Sequence, residues 1–142
     1  MDTTTAHQVP LSLADRRALL AAASLGLAGE ALAARHLRED HRLRIVATNW
    51  RVVDGPLRGE LDLIALDPPT GSLVVCEVKT RRDAGRFGGA TAAVDPRKHQ
   101  RLRALTGAFL RDQPARYASV RLDLIAIDVG CTPRLTHLVG LD

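Results

Sequence analysis

The sequence is short of aromatics, lysine and cysteine, and each shortage excludes something. Trp50, Phe87, Phe109 and Tyr117 are its only aromatic residues. A surface that holds unpaired bases by stacking them on rings is therefore poorly supplied. Cysteine occurs twice, as Cys76 inside an apolar run and Cys131 in a predicted turn, with no Cys-x-x-Cys pair. The five histidines, His7, His36, His41, His99 and His137, are scattered along the chain. This pattern predicts neither a disulfide framework nor a zinc site. Two unpatterned thiols suit a reducing compartment, and a cytoplasmic protein is expected. Arg16-Arg17 followed by Ala18 to Gly29 has the outline of a signal peptide, but the apolar run is too short to span a bilayer. The helical pattern also continues through Glu30, Arg35 and Arg38, so no membrane association is expected. Repeats, low-complexity blocks and linkers are absent, which leaves one globular domain. At 142 residues, such a domain buries a sizeable core without a covalent staple.

What is present concentrates between Gly59 and Lys79. Gly59-Glu60-Leu61-Asp62-Leu63-Ile64-Ala65-Leu66-Asp67 and Leu73-Val74-Val75-Cys76-Glu77-Val78-Lys79-Thr80 flank Pro68-Pro69-Thr70-Gly71, the signature of a hairpin. Side chains alternate along a strand, so Glu77 and Lys79 share one face of the second arm, as Glu60 and Asp62 do on the first. Apolar residues otherwise fill both faces of that second arm, which predicts an inner strand. Carboxylates and ammonium groups are rarely buried unless paired or bound to a metal. Asp62, Glu77 and Lys79 can thus hold a divalent cation and a water. Only Lys79 and Lys98 are lysines; the other eighteen of the twenty basic residues are arginine. Lysine in the Glu-x-Lys unit of so arginine-biased a chain points to a compact ammonium with a specific task. An ordinary ion pair on a solvated strand is the competing account.

The net charge of +4 is unevenly spread. Between Lys79 and Arg103 eight basic residues face only Asp83 and Asp95, so this window carries +6 and the remainder of the chain −2. A basic patch beside a candidate metal site suits a ligand with a phosphate backbone. With few rings available, contact with that backbone is expected rather than the reading of bases.

The remaining pattern is coarser. Residues 1–12 are polar and aperiodic and are expected to form a disordered tail, with a single domain over 13–142. A helix runs from Leu13 to about Asp40, with a break expected near Gly26 and Gly29. Within it Leu27, Glu30, Ala34 and Leu37 form one stripe, so Glu30 either snorkels at the edge of an apolar face or aims into the hairpin. Arg44 to Trp50 reads as the first strand. Asp95-Pro96 caps and starts a helix reaching about Asp112, Arg121 to Val129 is a further strand, and Arg134 to Val139 the last. Helix, three strands, helix and two strands predict an α/β fold: a mixed five-stranded sheet flanked by helices.

Several of these residues together resemble a known family. Gly29-Glu30, Asn49-Trp50-Arg51, Gly59-Glu60-Leu61-Asp62-Leu63-Ile64, Val75-Cys76-Glu77-Val78-Lys79-Thr80-Arg81, Phe87-Gly88, Ala93-Val94 with Lys98, and Arg121-Leu122-Asp123 occur in its order. They are similar to the YraN-like uncharacterised protein family of bacteria. It is regarded as a predicted-nuclease branch of the PD-(D/E)XK superfamily, with a restriction-endonuclease-like fold close to archaeal Holliday junction resolvases. The resemblance implies a Mg²⁺- or Mn²⁺-dependent endonuclease acting on DNA, on branched or recombination and repair intermediates. It implies Asp62, Glu77 and the backbone carbonyl of Val78 as metal ligands, Lys79 as the catalytic lysine, and Glu30 as the helix carboxylate completing the site. Arg81, Arg82, Arg86, Lys98 and Arg101 would then bind flanking phosphates. It further implies a nucleoid-associated location, a helicase or recombination protein as partner, and a homodimer. The alternative is a non-catalytic nucleic-acid-binding adaptor that keeps the fold and the basic patch.

Overall fold

A computed structural model of the chain describes residues 4–53, 55–82 and 95–141. The order is β1 (Thr5–Pro10), α1 (Leu13–Ala21), α2 (Leu25–Glu39), β2 (Arg44–Arg51), β3 (Glu60–Asp67), β4 (Ser72–Arg81), α3 (Pro96–Asp112), β5 (Ser119–Asp128) and β6 (Arg134–Val139). The strands form one open sheet in the order β1-β6-β5-β4-β3-β2. β4 and β5 run parallel and every other neighbouring pair antiparallel. The mixed α/β architecture agrees with the sequence expectation, but the described residues form six strands, not five.

The additional strand is β1, which corrects the reading of residues 1–12 as a tail. Thr5 to Pro10 pair with Val139 to Arg134 along the outer edge of β6. All six residues are exposed. The backbone ladder pairs them with β6, and an exposed strand shows no apolar alternation from which it could be recognised.

Two apolar layers sandwich the sheet. On one face Leu19 of α1 and Ala33, Ala34 and Leu37 of α2 pack against Leu63, Val74, Cys76 and Ile125. On the other, Leu102, Leu105 and Phe109 of α3 pack against Leu61, Leu73, Val75 and Leu124. Both faces of β4 are thereby covered, as its unbroken apolar run predicted. The long first helix breaks earlier than expected, between Ala21 and Leu25, where Ser24 caps α2 by accepting the amide of Leu27 at 3.2 Å. Leu27 is exposed, outside the stripe assigned to it, and the inner face of α2 is Gly29, Ala33, Ala34, His36 and Leu37. α3 begins as the sequence indicated: Asp95 accepts the amide of Arg97 at 2.9 Å and Pro96 occupies the first turn.

Two glycines decide how the helices seat. A methyl group on Gly29 would lie 1.8 Å from the hydroxyl of Thr80, so α2 rests directly on β4. Gly59 has φ +131° and lies under α3, where a side chain would meet Leu105 at 3.0 Å. Four of the five histidines, scattered in sequence, come together in space: the ring centroids of His36, His41 and His137 lie 4.7–5.2 Å apart, with His7 alongside.

Candidate active site

The hairpin of β3 and β4 creates the site at the ends of those strands. Leu63 pairs with Cys76, so the next residues along, Asp62 and Glu77, stand side by side on adjacent strands. Leu61 and Leu63 belong to different apolar layers, so the alternation of faces is broken at Asp62. There the amide of Val78 donates to Asp62 Oδ2 at 2.9 Å, a side chain taking the place of a ladder bond. From below, the Gly29–Thr80 contact brings α2 close enough for Glu30 to join them. Carboxylate oxygens of Glu30, Glu60 and Asp62 all lie within 4.8 Å of one another. From the other side Gly59 admits α3, which brings Lys98 and Arg101. Glu30, Asp62, Glu77, Val78, Lys79, Lys98 and Arg101 thus line one cavity of about 350 Å³, with Gly59, Glu60, Leu102 and Leu105 completing it.

The electrostatics are those of a crowded anionic site. Burial, followed by the charges of Glu77, Glu30 and Glu60, pushes the Asp62 carboxyl up to about 6, against the opposing bond from Val78. Unpaired carboxylates at such separations repel, and an oxygen-preferring cation relieves them. Glu77 is met by Lys79, whose Nζ is 3.2 Å from Glu77 Oε1. This pair is only partly exposed, at 33% for Lys79 and 27% for Glu77. Glu60 is compensated differently. Arg51 donates to its Oε2 at 2.7 Å and Asn49 to its Oε1 at 3.0 Å, and these bonds hold its carboxyl below the usual range.

Asn49, Arg51 and Glu60 were not singled out as site residues in the sequence. Asn49 Nδ2 bridges Glu30 Oε2 and Glu60 Oε1, both at 3.0 Å, tying α2 to β3 through β2. It does so from φ +50°, a left-handed conformation that asparagine tolerates better than most residues. An asparagine inside a strand was the available signal, since the type is depleted there. The phosphate-binding set divides. Lys98 and Arg101 line the cavity. Arg81 ends β4 and Arg82 follows it, and neither is among the lining residues. Arg86 and the glycine-rich stretch around Phe87 lie outside the described residues.

The segment holding every acidic member of this cavity is also the one that matches known proteins. Residues 29–127 match the profile of the uncharacterised protein family UPF0102. The chain belongs to that family. UPF0102 is the YraN-like group whose motifs the sequence carries. Among UPF0102 proteins, the one from Mycobacterium avium (strain 104) is 47% identical over 119 residues, covering 82% of this chain and 88% of that protein. Those from Mycobacterium bovis (strain BCG / Pasteur 1173P2) and Mycobacterium tuberculosis (strain ATCC 25177 / H37Ra) are each 48% identical over 122 residues. They cover 82% of this chain and 91% of their own length. The UPF0102 match begins at Gly29, the residue that seats α2, and so includes Glu30. Among the described residues, no helix is long and apolar enough to cross a membrane.

Proposed function

We propose that this UPF0102 protein is a metal-dependent endonuclease that hydrolyses phosphodiester bonds of DNA, with branched or recombination and repair intermediates as its substrates. The observation that carries the reading is the single cavity in which Glu30, Asp62, Glu77 and Lys79 meet Lys98 and Arg101. Carboxylates alone would suit any hard cation. Carboxylates beside a lysine, with further cations on the rim, suit a cation together with a phosphate.

The donor set fits Mg²⁺ or Mn²⁺, because every charged candidate ligand is a carboxylate oxygen. Asp62, Glu77 and the Val78 carbonyl would hold it, with Glu30 completing the site. Such an ion lowers the pKa of a water and offsets the charge that develops on the phosphate. The chain's own residues supply the rest. Asp62, with its carboxyl at about 6, is mostly ionised at neutral pH and available as a ligand. Lys79, kept in place by Glu77, orients the attacking water and neutralises the scissile phosphate. Lys98 and Arg101 bind the phosphates beside it and set the strand over the carboxylates. Glu60, already satisfied by Arg51 and Asn49, acts as a brace for Glu30 rather than as a ligand.

The test is cleavage of branched, single-stranded and duplex DNAs by wild type, Asp62→Ala and Lys79→Ala, each with Mg²⁺, Mn²⁺ or EDTA. Cutting that needs the metal and disappears in both variants, while DNA binding survives, is the expected result. Cutting that persists in both variants would overturn it. Salt-sensitive binding without turnover, equal with and without chelator, would favour the adaptor and direct the search to a helicase or recombination partner.

A further inference from the structure

At the opposite end of α2 a second cluster is built from entirely different chemistry. His36 and His137 are 6% and 0% exposed, and His41 is half-buried between them and the surface. His36 Nε2 lies 3.1 Å from His137 Nδ1, and His41 Nε2 lies 3.3 Å from the same atom. The outer nitrogens of the two buried rings are already committed. Asp40 Oδ2 is 2.7 Å from His36 Nδ1, and Asp123 Oδ2 is 2.8 Å from His137 Nε2. An ionised carboxylate only accepts, so both outer nitrogens carry the proton and donate. In the neutral rings the inner nitrogens, His36 Nε2 and His137 Nδ1, are therefore lone pairs pointing at each other. A proton from His41 can satisfy one of them and leaves the other facing a partner of the same sign.

We infer that His36 Nε2, His41 Nε2 and His137 Nδ1 form a site for a transition-metal cation of the Zn²⁺ class. Nitrogens about 2.0–2.1 Å from a tetrahedral zinc stand about 3.3 Å from one another, which matches both separations. Three imidazoles select Zn²⁺, Co²⁺ or Ni²⁺ over Mg²⁺. Carboxylates that take the outer N–H of a ligating histidine fix its tautomer and aim its free nitrogen at the metal. Asp40 and Asp123 are placed to do this. Asp123 is itself pinned by Arg121 at 2.9 and 3.0 Å and by the Gly140 amide at 3.0 Å. The exposed His7 on β1 lies nearby, its ring centroid 5.6 Å from that of His41.

The bound ion would pin the C-terminal end of α2 to β6. Glu30 and His36 are six residues apart, about 9 Å along the helix axis. The inference does not depend on the acidic cavity being catalytic.

Titration of the full-length, metal-free protein with Co²⁺ tests this. One equivalent should produce the visible absorption of tetrahedral, nitrogen-rich cobalt, displaced by Zn²⁺ and unaffected by excess Mg²⁺. The band should persist in Asp62→Asn and vanish in His41→Ala. Asp40→Ala, which changes an exposed carboxylate and spares the core, should weaken Zn²⁺ binding by about 10–100-fold. Absence of both the band and Zn²⁺ uptake in the wild type would overturn the inference. So would uptake that survives His41→Ala and is lost in Asp62→Asn, because the acidic cavity would then be the binder.

Discussion

Replacing Asp62 by asparagine removes one negative charge from a site that holds several, and its consequence for stability can be worked out. The fold raises the Asp62 carboxyl from 3.8 to about 6, roughly two units at about 1.36 kcal/mol each. Ionising Asp62 in the metal-free fold therefore costs at most about 3 kcal/mol, and its partial exposure brings the expected figure to about 1–3 kcal/mol. The folded carboxyl holds its proton more tightly than the unfolded one. Below about pH 4 both states are protonated and carry no penalty. The penalty grows as the pH rises from about 4 to about 6 and is constant above that. Asparagine keeps an oxygen for the Val78 amide and carries no charge at any pH. Urea unfolding in EDTA should therefore find the variant close to wild type near pH 4 and more stable by about 1–3 kcal/mol above pH 7. Added Mg²⁺ should narrow that gap by stabilising the wild type alone. A gap that does not change with pH, or a variant less stable than wild type at neutral pH, would refute the reasoning about the cavity's charge.

Four further substitutions address the walls of the site and their supports. Gly29→Ala forces α2 away from Thr80; overpacking of this kind costs about 1–3 kcal/mol, so calorimetry should show a lower Tm, and an unchanged Tm would mean the contact is not rigid. Displacing α2 also moves Glu30, so the same variant should bind Mn²⁺ more weakly. Lys98→Ala and Arg101→Ala should each reduce the slope of log DNA affinity against log salt by about 1. A fluorescence titration at several salt concentrations measures it, and unchanged slopes would place the phosphate path elsewhere. Asn49→Ala loses the bridge between Glu30 and Glu60 and leaves alanine at positive φ, a combined loss of about 1–3 kcal/mol readable by urea unfolding.

The sequence made some of this legible for identifiable reasons. Asp95-Pro96 marks the start of α3 because capping is local chemistry, encoded within a few residues. The doubly apolar run of β4 shows where the centre of the sheet lies, and Glu77 and Lys79 stand out because charge interrupts it. Glu30 was ambiguous because periodicity places it on an edge. Only the close approach at Gly29, which is tertiary, turns that edge towards Asp62. The same glycine misled the reading of the helix, since it serves packing and the break lies at Ser24 instead. Asn49 and Glu60 were missed because their partners come from three elements. The histidine cluster has no sequence signature at all: His36 and His41 flank the end of α2, His137 lies 96 residues beyond His41, and only the sheet joins them.

β1 also bears on how this protein can be handled. Because all six of its side chains are exposed, a variant trimmed at Leu11 would look harmless by every measure of lost apolar contact. It would nevertheless uncover the flank of β6, with Leu135, Thr136 and His137 behind it, as an unpaired backbone edge. Open edges recruit strands from other chains. Truncation at the amino terminus would thus convert a self-capped sheet edge into an adhesive one, and its signature would be concentration-dependent association rather than a lowered melting temperature.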